Sequence, residues 1–434
     1  MIKMRLKKLI PLWELSLYVL AGLLIAILGT IGEWDWWKLP LIEAAHYQKL
    51  YGDPTSFASA AVDIAHYGWV SDATRWIVNL WPPGFMLIEA AILKLLGDKT
   101  PILIVLLGLS LFTYAWLLFK LRTRISSSIG SWSWLLPLAF FATPITSAFI
   151  FYPTALLFGE WLSIACFIGG ILCLLDDSKR ASYAAGVLIA SAAYVRPQYE
   201  VMAKGMLLYA LLMWGWLYIR QHKRALPNLV LALLIAQAVM LPWRLYHWVA
   251  DGNPAWTFTD GLRIELSLKD DASLIAGGGG FEVTGGINVA CHLEPVACGS
   301  NSKNAYFRIF FSHPWQWVVA KAQILPKYWF ASVSNFTAPA DDVSSADILI
   351  NSVYLLLLFA VFYLNWSIRK LRVAQVFWCA NAGVMLTYGL VFLFAHFEVR
   401  FFFFLKVYAL AISFLLFSVW YERRTNSARK GSPP

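Results

Sequence analysis

Apolar runs long enough to cross a bilayer recur along this chain, and short basic flanks separate them. The runs LSLYVLAGLLIAILGTI (15–31), ILIVLLGLSLFTYAWLLF (102–119) and LLLLFAVFYL (355–364) carry no charge. Hydrocarbon offers no partner to a free backbone amide, so such runs cross as helices. The pattern predicts spans near 14–31, 100–119, 131–151, 154–175, 181–195, 201–219, 226–242, 347–364, 373–395 and 401–421. The first run lacks a following small-residue cleavage signal and reads as a retained helix. Residues 84–96, GFMLIEAAILKLL, are apolar but short, and read as an interfacial or tilted helix on the outer side. The expected fold is therefore an all-α polytopic membrane protein of about 10 to 12 helices.

Composition agrees: 59% of the 434 residues are hydrophobic and 14% charged, where soluble domains carry about 25% charged residues. Basic clusters occur at MIKMRLKKL, KLRTR (120–124), DDSKR (176–180), RQHKR (220–224), RKLR (369–372) and ERRTNSARK (422–430). The positive-inside rule puts all six on the cytoplasmic side, with both termini there. The net charge of +10 is then anchoring and orientation, and short flanks that meet lipid headgroups do not point to nucleic acid. Two regions fall outside: a first loop at 32–99 and a longer one at 243–346. They divide the chain into an N-terminal transmembrane module (1–242), an outer loop with interfacial helices (243–346) and C-terminal helices with a basic tail (347–434).

Several polar groups inside or between these runs are candidates for chemistry. Asp53 precedes Pro54, the form of an N-cap followed by a first-turn proline, and Phe57, Ala60, Ala61 and Ile64 follow at helical spacing. Its carboxylate either only caps this helix or also faces a cavity where it accepts a proton. Glu160, in YPTALLFGEWLS, sits in an apolar span where an unpaired carboxylate is costly. A structural ion pair and a substrate contact are equal readings. Arg196, in YVRPQYE, and Arg244 and His247, in MLPWRLYHW, lie at outer helix ends. In FFSHPWQWVVAKAQILPKYWF, His313 joins Trp315, Trp317, Tyr328 and Trp329, which read as an interfacial aromatic belt. His396, Glu398 and Arg400 stand between the last two spans, where a guanidinium can meet phosphate or lipid headgroups.

Cys166, Cys173 and Cys379 read as small fillers of predicted spans, whereas Cys291 and Cys298, in CHLEPVAC, suit a loop disulfide in an oxidising compartment. Zinc held by these thiolates with His292 and Glu294 is the weaker alternative. The glycines of LIAGGGGFEVTGGI mark a turn-rich loop. They lack the Lys and Ser or Thr of a phosphate-binding loop and its strand-to-helix setting.

The order GDPTSFASAAVDIAHYGWV, WPPGFMLIEAAILKLLG, YPTALLFGE, YVRPQ, LPWRLY and HPWQW resembles the multispanning glycosyltransferases of the C-type fold. The likeness is to bacterial lipid-linked sugar transferases related to protein O-mannosyltransferases and lipid A aminoarabinose transferases. It covers roughly residues 10–250 well and the rest loosely. It implies transfer of a sugar, with inversion, from a polyprenyl-phosphate donor to a lipid, glycan or protein hydroxyl. The implied place is the outer face of the bacterial inner membrane. Asp53, flanked by Tyr51 and Gly52, matches the family's first-loop acidic residue. Trp81, Pro82, Pro83, Gly84 and Phe85 match its proline-rich helix entrance. Arg196, Arg244 and Arg400 are the implied carrier-phosphate residues, and Glu160, His247, His313 and Glu398 candidates to line a polar cavity. Some relatives use a divalent metal, Mg or Mn, with paired first-loop carboxylates. Here Asp53 is followed by Pro54, and Glu33 and Asp35 are distant in sequence, so no cofactor is assigned. A glycan polymerase or ligase, and a transporter or lipid flippase, are the alternative classes.

Overall fold

The computed structural model describes residues 16, 20, 39–46, 53–125, 153–219, 227–251, 289, 293–297, 303–332, 343–369, 371–394 and 398–429. The expected spans at 14–31 and 131–151 lie almost wholly outside the described residues, as do Cys291, Cys298 and His396. The described chain is helical, and its one extended pairing is a bridge between Pro40 and Pro101.

The first-loop region holds α1 (Leu41–His46), α2 (Asp53–Tyr67), α3 (Arg75–Leu80) and α4 (Gly84–Leu96). Then come α5 (Ile102–Arg124), a 3-10 turn (Pro153–Phe158), α6 (Glu160–Leu174), α7 (Lys179–Val195), α8 (Gln198–Ile219) and α9 (Pro227–Asp251). After α10 (Lys303–Ser312) and α11 (Pro314–Phe330) follow α12 (Ser345–Ser367), α13 (Arg372–Phe394) and α14 (Phe401–Arg429). Five of these, α5, α9, α12, α13 and α14, are long and apolar enough to cross a membrane. At 13 residues, or about 20 Å, α4 is shorter than the hydrocarbon core of about 30 Å, and it packs on α2.

Local chemistry sets several boundaries. Ser178 Oγ accepts the Ala181 N–H at 3.1 Å and caps α7, and Ser344 caps α12 through the Asp347 N–H, also at 3.1 Å. Pro197 ends α7 by forcing Arg196 into extended backbone, φ −143° and ψ 128°. Helices then meet where side chains are smallest, because close backbone approach is what drives packing without a hydrophobic contrast. α7 lies on α9 with Gly186 against the Ala232 carbonyl, and α8 lies on α13 with Gly383 against the Met202 carbonyl.

The ends of the bundle differ in chemistry. At one end Arg124 pairs with Asp176, Asp177 accepts a hydrogen bond from Asn228, and Arg372 Nη1 pairs with Asp177 at 2.6 Å. Arg423 Nη1 reaches the Ser367 carbonyl at 3.5 Å at the end of α12. Parts of KLRTR, DDSKR, RKLR and ERRTNSARK thus share one end, as a single-sided distribution of basic flanks requires. Glu160, Arg196 and Arg400 lie at the other.

Two readings change. Trp317, Tyr328 and Trp329 are core residues and not an aromatic belt, with exposures of 0%, 0% and 7%. Their polar atoms explain the burial: Trp317 Nε1 donates to the Leu393 carbonyl at 2.6 Å and Trp329 Nε1 to the Asn351 carbonyl at 3.1 Å. Only Trp315 of this set is strongly exposed. The seventh predicted span also continues beyond 242 to Asp251, carrying Pro242 inside the helix and putting Arg244 and His247 on helical turns.

Candidate functional site

The site grows from a glycine. Gly159 adopts the left-handed conformation, φ +71°, between the 3-10 turn and α6, so Glu160 becomes the first residue of a helix. Sequence pattern alone placed it several residues inside a span. At a helix N-terminus a carboxylate is favoured by the exposed amides and the dipole. Arg196 occupies the complementary place, the C-cap of α7, where a cation is favoured.

These two ends meet. Arg196 Nε lies 3.0 Å from Glu160 Oε1, with each side chain only 4% exposed. Arg400, just before α14, approaches the same oxygen at 3.9 Å and pairs with Glu398 Oε2 at 2.5 Å. Both guanidiniums also approach the Phe158 ring, with Arg400 Cζ 4.4 Å and Arg196 Cζ 5.9 Å from its centroid. The result is a buried cluster of two arginines and two carboxylates, drawn from three separate parts of the sequence. Tyr388 fastens the Arg400 segment by donating its hydroxyl to the Phe401 carbonyl at 2.5 Å.

The first-loop helices cover this cluster. The stripe Phe57, Ala60, Ala61 and Ile64 on α2 faces inward, and the Phe57 ring lies 5.4 Å from Arg196 Cζ. Asp53 opens α2 one turn before Phe57, about 6 Å away along the helix. Its side chain lies outside the described residues. Phe57 also meets Trp81 and Phe85 edge-on, at 5.5 and 6.4 Å between centroids. Close approach under α4 requires Gly84, because a Cβ there would stand 2.5 Å from the Tyr194 carbonyl oxygen. Likewise a Cβ on Gly159 would meet the Phe85 ring at 2.7 Å. Gly84→Ala is therefore expected to cost about 1–3 kcal/mol, read as a lower thermal midpoint in detergent. Gly159→Ala adds the left-handed penalty, so a larger drop is expected.

Arg244 belongs to a second cluster. Its Nε and Nη2 donate to Glu200 Oε1 at 3.0 and 2.6 Å, its Nη2 donates to Gln237 Oε1 at 2.9 Å, and Lys204 Nζ reaches the same Glu200 oxygen at 2.8 Å. No protein-family model, curated protein or solved structure matches this chain. The geometry must therefore carry the functional reading. Beside Arg244, Trp243 stacks on Tyr246 at 4.9 Å, and Trp69 from the end of the first-loop helix meets Tyr246 at 5.8 Å. The Asp63 carboxylate holds the turn after Trp69 by accepting from the Ser71 N–H at 3.1 Å and the Thr74 hydroxyl at 2.5 Å, and Trp69 Nε1 donates to the Tyr246 hydroxyl at 3.3 Å. His247 is buried, edge-on to Trp243 at 5.0 Å.

His313 is not brought to these clusters. Its Nε2 lies 3.4 Å from Glu294, which also pairs with Arg308 at 2.7 Å, beside a small separate core around Tyr306 and Trp317. Glu294, a possible zinc ligand from sequence, is thus an ion-pair partner. Among the described residues no group of three or more His, Cys, Asp or Glu is arranged to hold a metal.

Sequence reading missed Glu200, Lys204, Gln237 and Glu89. The spacing of Glu200 and Lys204, four residues apart on one helix, was the available signal for that pair. Glu89, on α4, is fully buried, and neither carboxylate oxygen has a hydrogen-bond partner among the described residues. Burial pushes its carboxyl well above the usual range. A raised folded-state pKa means the folded protein holds a proton that the unfolded chain releases, so stability falls as pH rises above about 4.5. Glu89→Gln is expected to remove that loss and raise the thermal midpoint at pH 7 to 8 while leaving it unchanged near pH 4.

Proposed function

We propose that this chain transfers a sugar from a polyprenyl-phosphate donor to a hydroxyl acceptor at the outer face of a bacterial inner membrane. The reading takes 10 to 12 spanning helices, both termini in the cytoplasm and the Glu160 end facing outward. One observation carries it: Arg196 and Arg400, remote in sequence, converge on Glu160 directly beneath the helix that Asp53 opens. Buried ions inside a membrane protein mark functional places more often than ornamental ones. They also lie at the end opposite the basic flanks, the side from which a flipped lipid carrier would be approached.

The chemistry needs three things of the protein. Asp53 accepts the proton of the acceptor hydroxyl as its oxygen attacks the anomeric carbon. The bond from that carbon to the phosphate oxygen breaks on the opposite face, which inverts the centre, and the polyprenyl phosphate leaves with the electron pair. Positive charge from Arg196 and Arg400, which converge on Glu160, offsets the charge that grows on the leaving phosphate. Phosphate is already a good leaving group, so no strong general acid is required.

The test is mass spectrometry of envelope glycans and polyprenyl-phosphate sugars from cells lacking the gene. Loss of one sugar from a glycan, with a rise in its monosaccharide carrier, is the expected result. Accumulation of an intact lipid-linked oligosaccharide would favour a polymerase or ligase, and an unchanged profile would remove the transferase reading.

A further inference from the structure

Glu398 and Arg400 lie on the short connection between α13, which ends at Phe394, and α14, which opens at Phe401. The last four carbonyls of a helix have no donor within it, so other groups must serve the end of α13. Side chains from the outer loop do so. Trp317 Nε1, on α11, donates to the Leu393 carbonyl at 2.6 Å, and the Tyr306 hydroxyl, on α10, donates to the Phe394 carbonyl at 2.8 Å. Both residues are fully buried and stand edge-on to each other at 5.1 Å, and Phe310 meets the Phe394 ring at 5.0 Å.

The far end of α11 serves the start of α14. Trp329 lies about 18 Å along the helix from Trp317. Its carbonyl, among the last of α11, accepts from Lys406 Nζ on α14 at 3.0 Å, and its ring meets Phe402 edge-on at 5.9 Å. A lysine buried in a membrane helix is costly, and the C-terminus of a helix is a place that favours a cation. Asn351, on α12, serves the next two carbonyls, Phe330 and Ala331, through Nδ2 at 3.2 and 3.3 Å. Beside Trp329, Tyr328 is buried within electrostatic reach of Glu398. Burial first, and then that carboxylate, push its hydroxyl above the ordinary tyrosine value. α11 thus reaches the last turn of α13, the surroundings of Glu398 and the first turns of α14.

We propose that α11 is a splint across this connection, and that Tyr306 and Trp317 are positioning residues that hold Arg400 on Glu160. Lys406 fixes the other end of the splint. Arg400 needs close placement, because it approaches the Glu160 oxygen that Arg196 also meets while its Nε pairs with Glu398. The first amides of α14, those of Phe401, Phe402 and Phe403, donate back to the Glu398, Val399 and Arg400 carbonyls at 3.0, 3.1 and 3.1 Å. The turn therefore moves as one piece with its two charges. A shift at the end of α13 is carried through it to the guanidinium, and a displacement of about 1 Å in a site costs about 10²-fold in rate. The consequence for turnover rests on the transferase reading above; the placement of Arg400 does not.

The test uses the full chain in phosphatidylcholine nanodiscs, with hydrogen exchange read at the Phe401, Phe402 and Phe403 amides. Tyr306→Phe and Trp317→Phe each delete one donor and keep an aromatic ring, and the double variant is expected to speed exchange there by about tenfold. Tyr306→Phe alone removes only a hydroxyl and is expected to give a smaller rise at the same amides; it stands in where the pair fails to reach the membrane. Gly84→Ala, which lowers the thermal midpoint through α4, is expected to leave those amides unchanged, and so separates positioning from a general loss of stability. Unchanged exchange in the double variant, or an equal rise in Gly84→Ala, would overturn the splint. In cells lacking the gene, the double variant at matched membrane abundance is expected to restore about tenfold less sugar than the native chain. Full restoration together with faster exchange would overturn the positioning role. The two readings fail separately, because an unchanged glycan profile in deleted cells removes the transferase and leaves the exchange result standing.

Discussion

Glu160→Ala is expected to lower stability by about 3–5 kcal/mol and to deplete the protein from the membrane fraction. The carboxylate is shared: Arg196 lies 3.0 Å and Arg400 3.9 Å from one of its oxygens, and all three side chains are at most 5% exposed. Truncation removes the carboxylate that both buried guanidiniums approach. Breaking a buried pair costs more than the pair contributes, because the partner's desolvation is no longer offset. Glu160→Gln keeps the shape and one acceptor oxygen, so a smaller loss is expected. Glu160→Gln with Arg196→Met removes both charges and is expected to recover part of it. Fluorescence-detected size exclusion after a temperature ramp measures all three. A Glu160→Ala protein that melts with the wild type would mean that the arginines are anchored elsewhere.

The second large effect belongs to Asp53, and it is on activity. Asp53→Asn is expected to reduce turnover by about 10²–10⁴-fold, the usual contribution of a positioned general base. The structure makes Asp53 the first residue of α2 and not the residue before it, and stability should change little because asparagine keeps the size and one acceptor oxygen of the side chain there. The substitution therefore separates the two readings of this residue. A cap alone survives it, whereas proton acceptance does not.

Much of the frame was legible in the sequence because hydrocarbon permits few solutions. α5, α12, α13 and α14 follow runs whose length and lack of charge leave only a helix, and parts of the four basic flanks within the described residues share one end. α4 was readable as a short helix from the apolar run at 84–96. Interior polar pairing was not legible. That Glu160 would meet both Arg196 and Arg400 depends on Gly159 turning left-handed and on α7 ending at Pro197, and partners so remote leave no periodic trace. Arg244 failed for the same reason: its partner Glu200 sits 44 residues away on another helix. Trp317 and Trp329 misled because tryptophan favours interfaces in general, while here each indole N–H has a buried carbonyl to serve. Glu89 carried no signal, since a glutamate between alanines and leucines on a short helix reads equally well facing water.

The most direct test of sugar transfer at this site is complementation of cells lacking the gene with the native chain or with Asp53→Asn, at matched membrane abundance. Mass spectrometry then follows the glycan and its polyprenyl-phosphate sugar. The account predicts that the native chain restores the missing sugar while Asp53→Asn does not, with the carrier still accumulated. Full restoration by Asp53→Asn would contradict it and leave that aspartate as a helix cap.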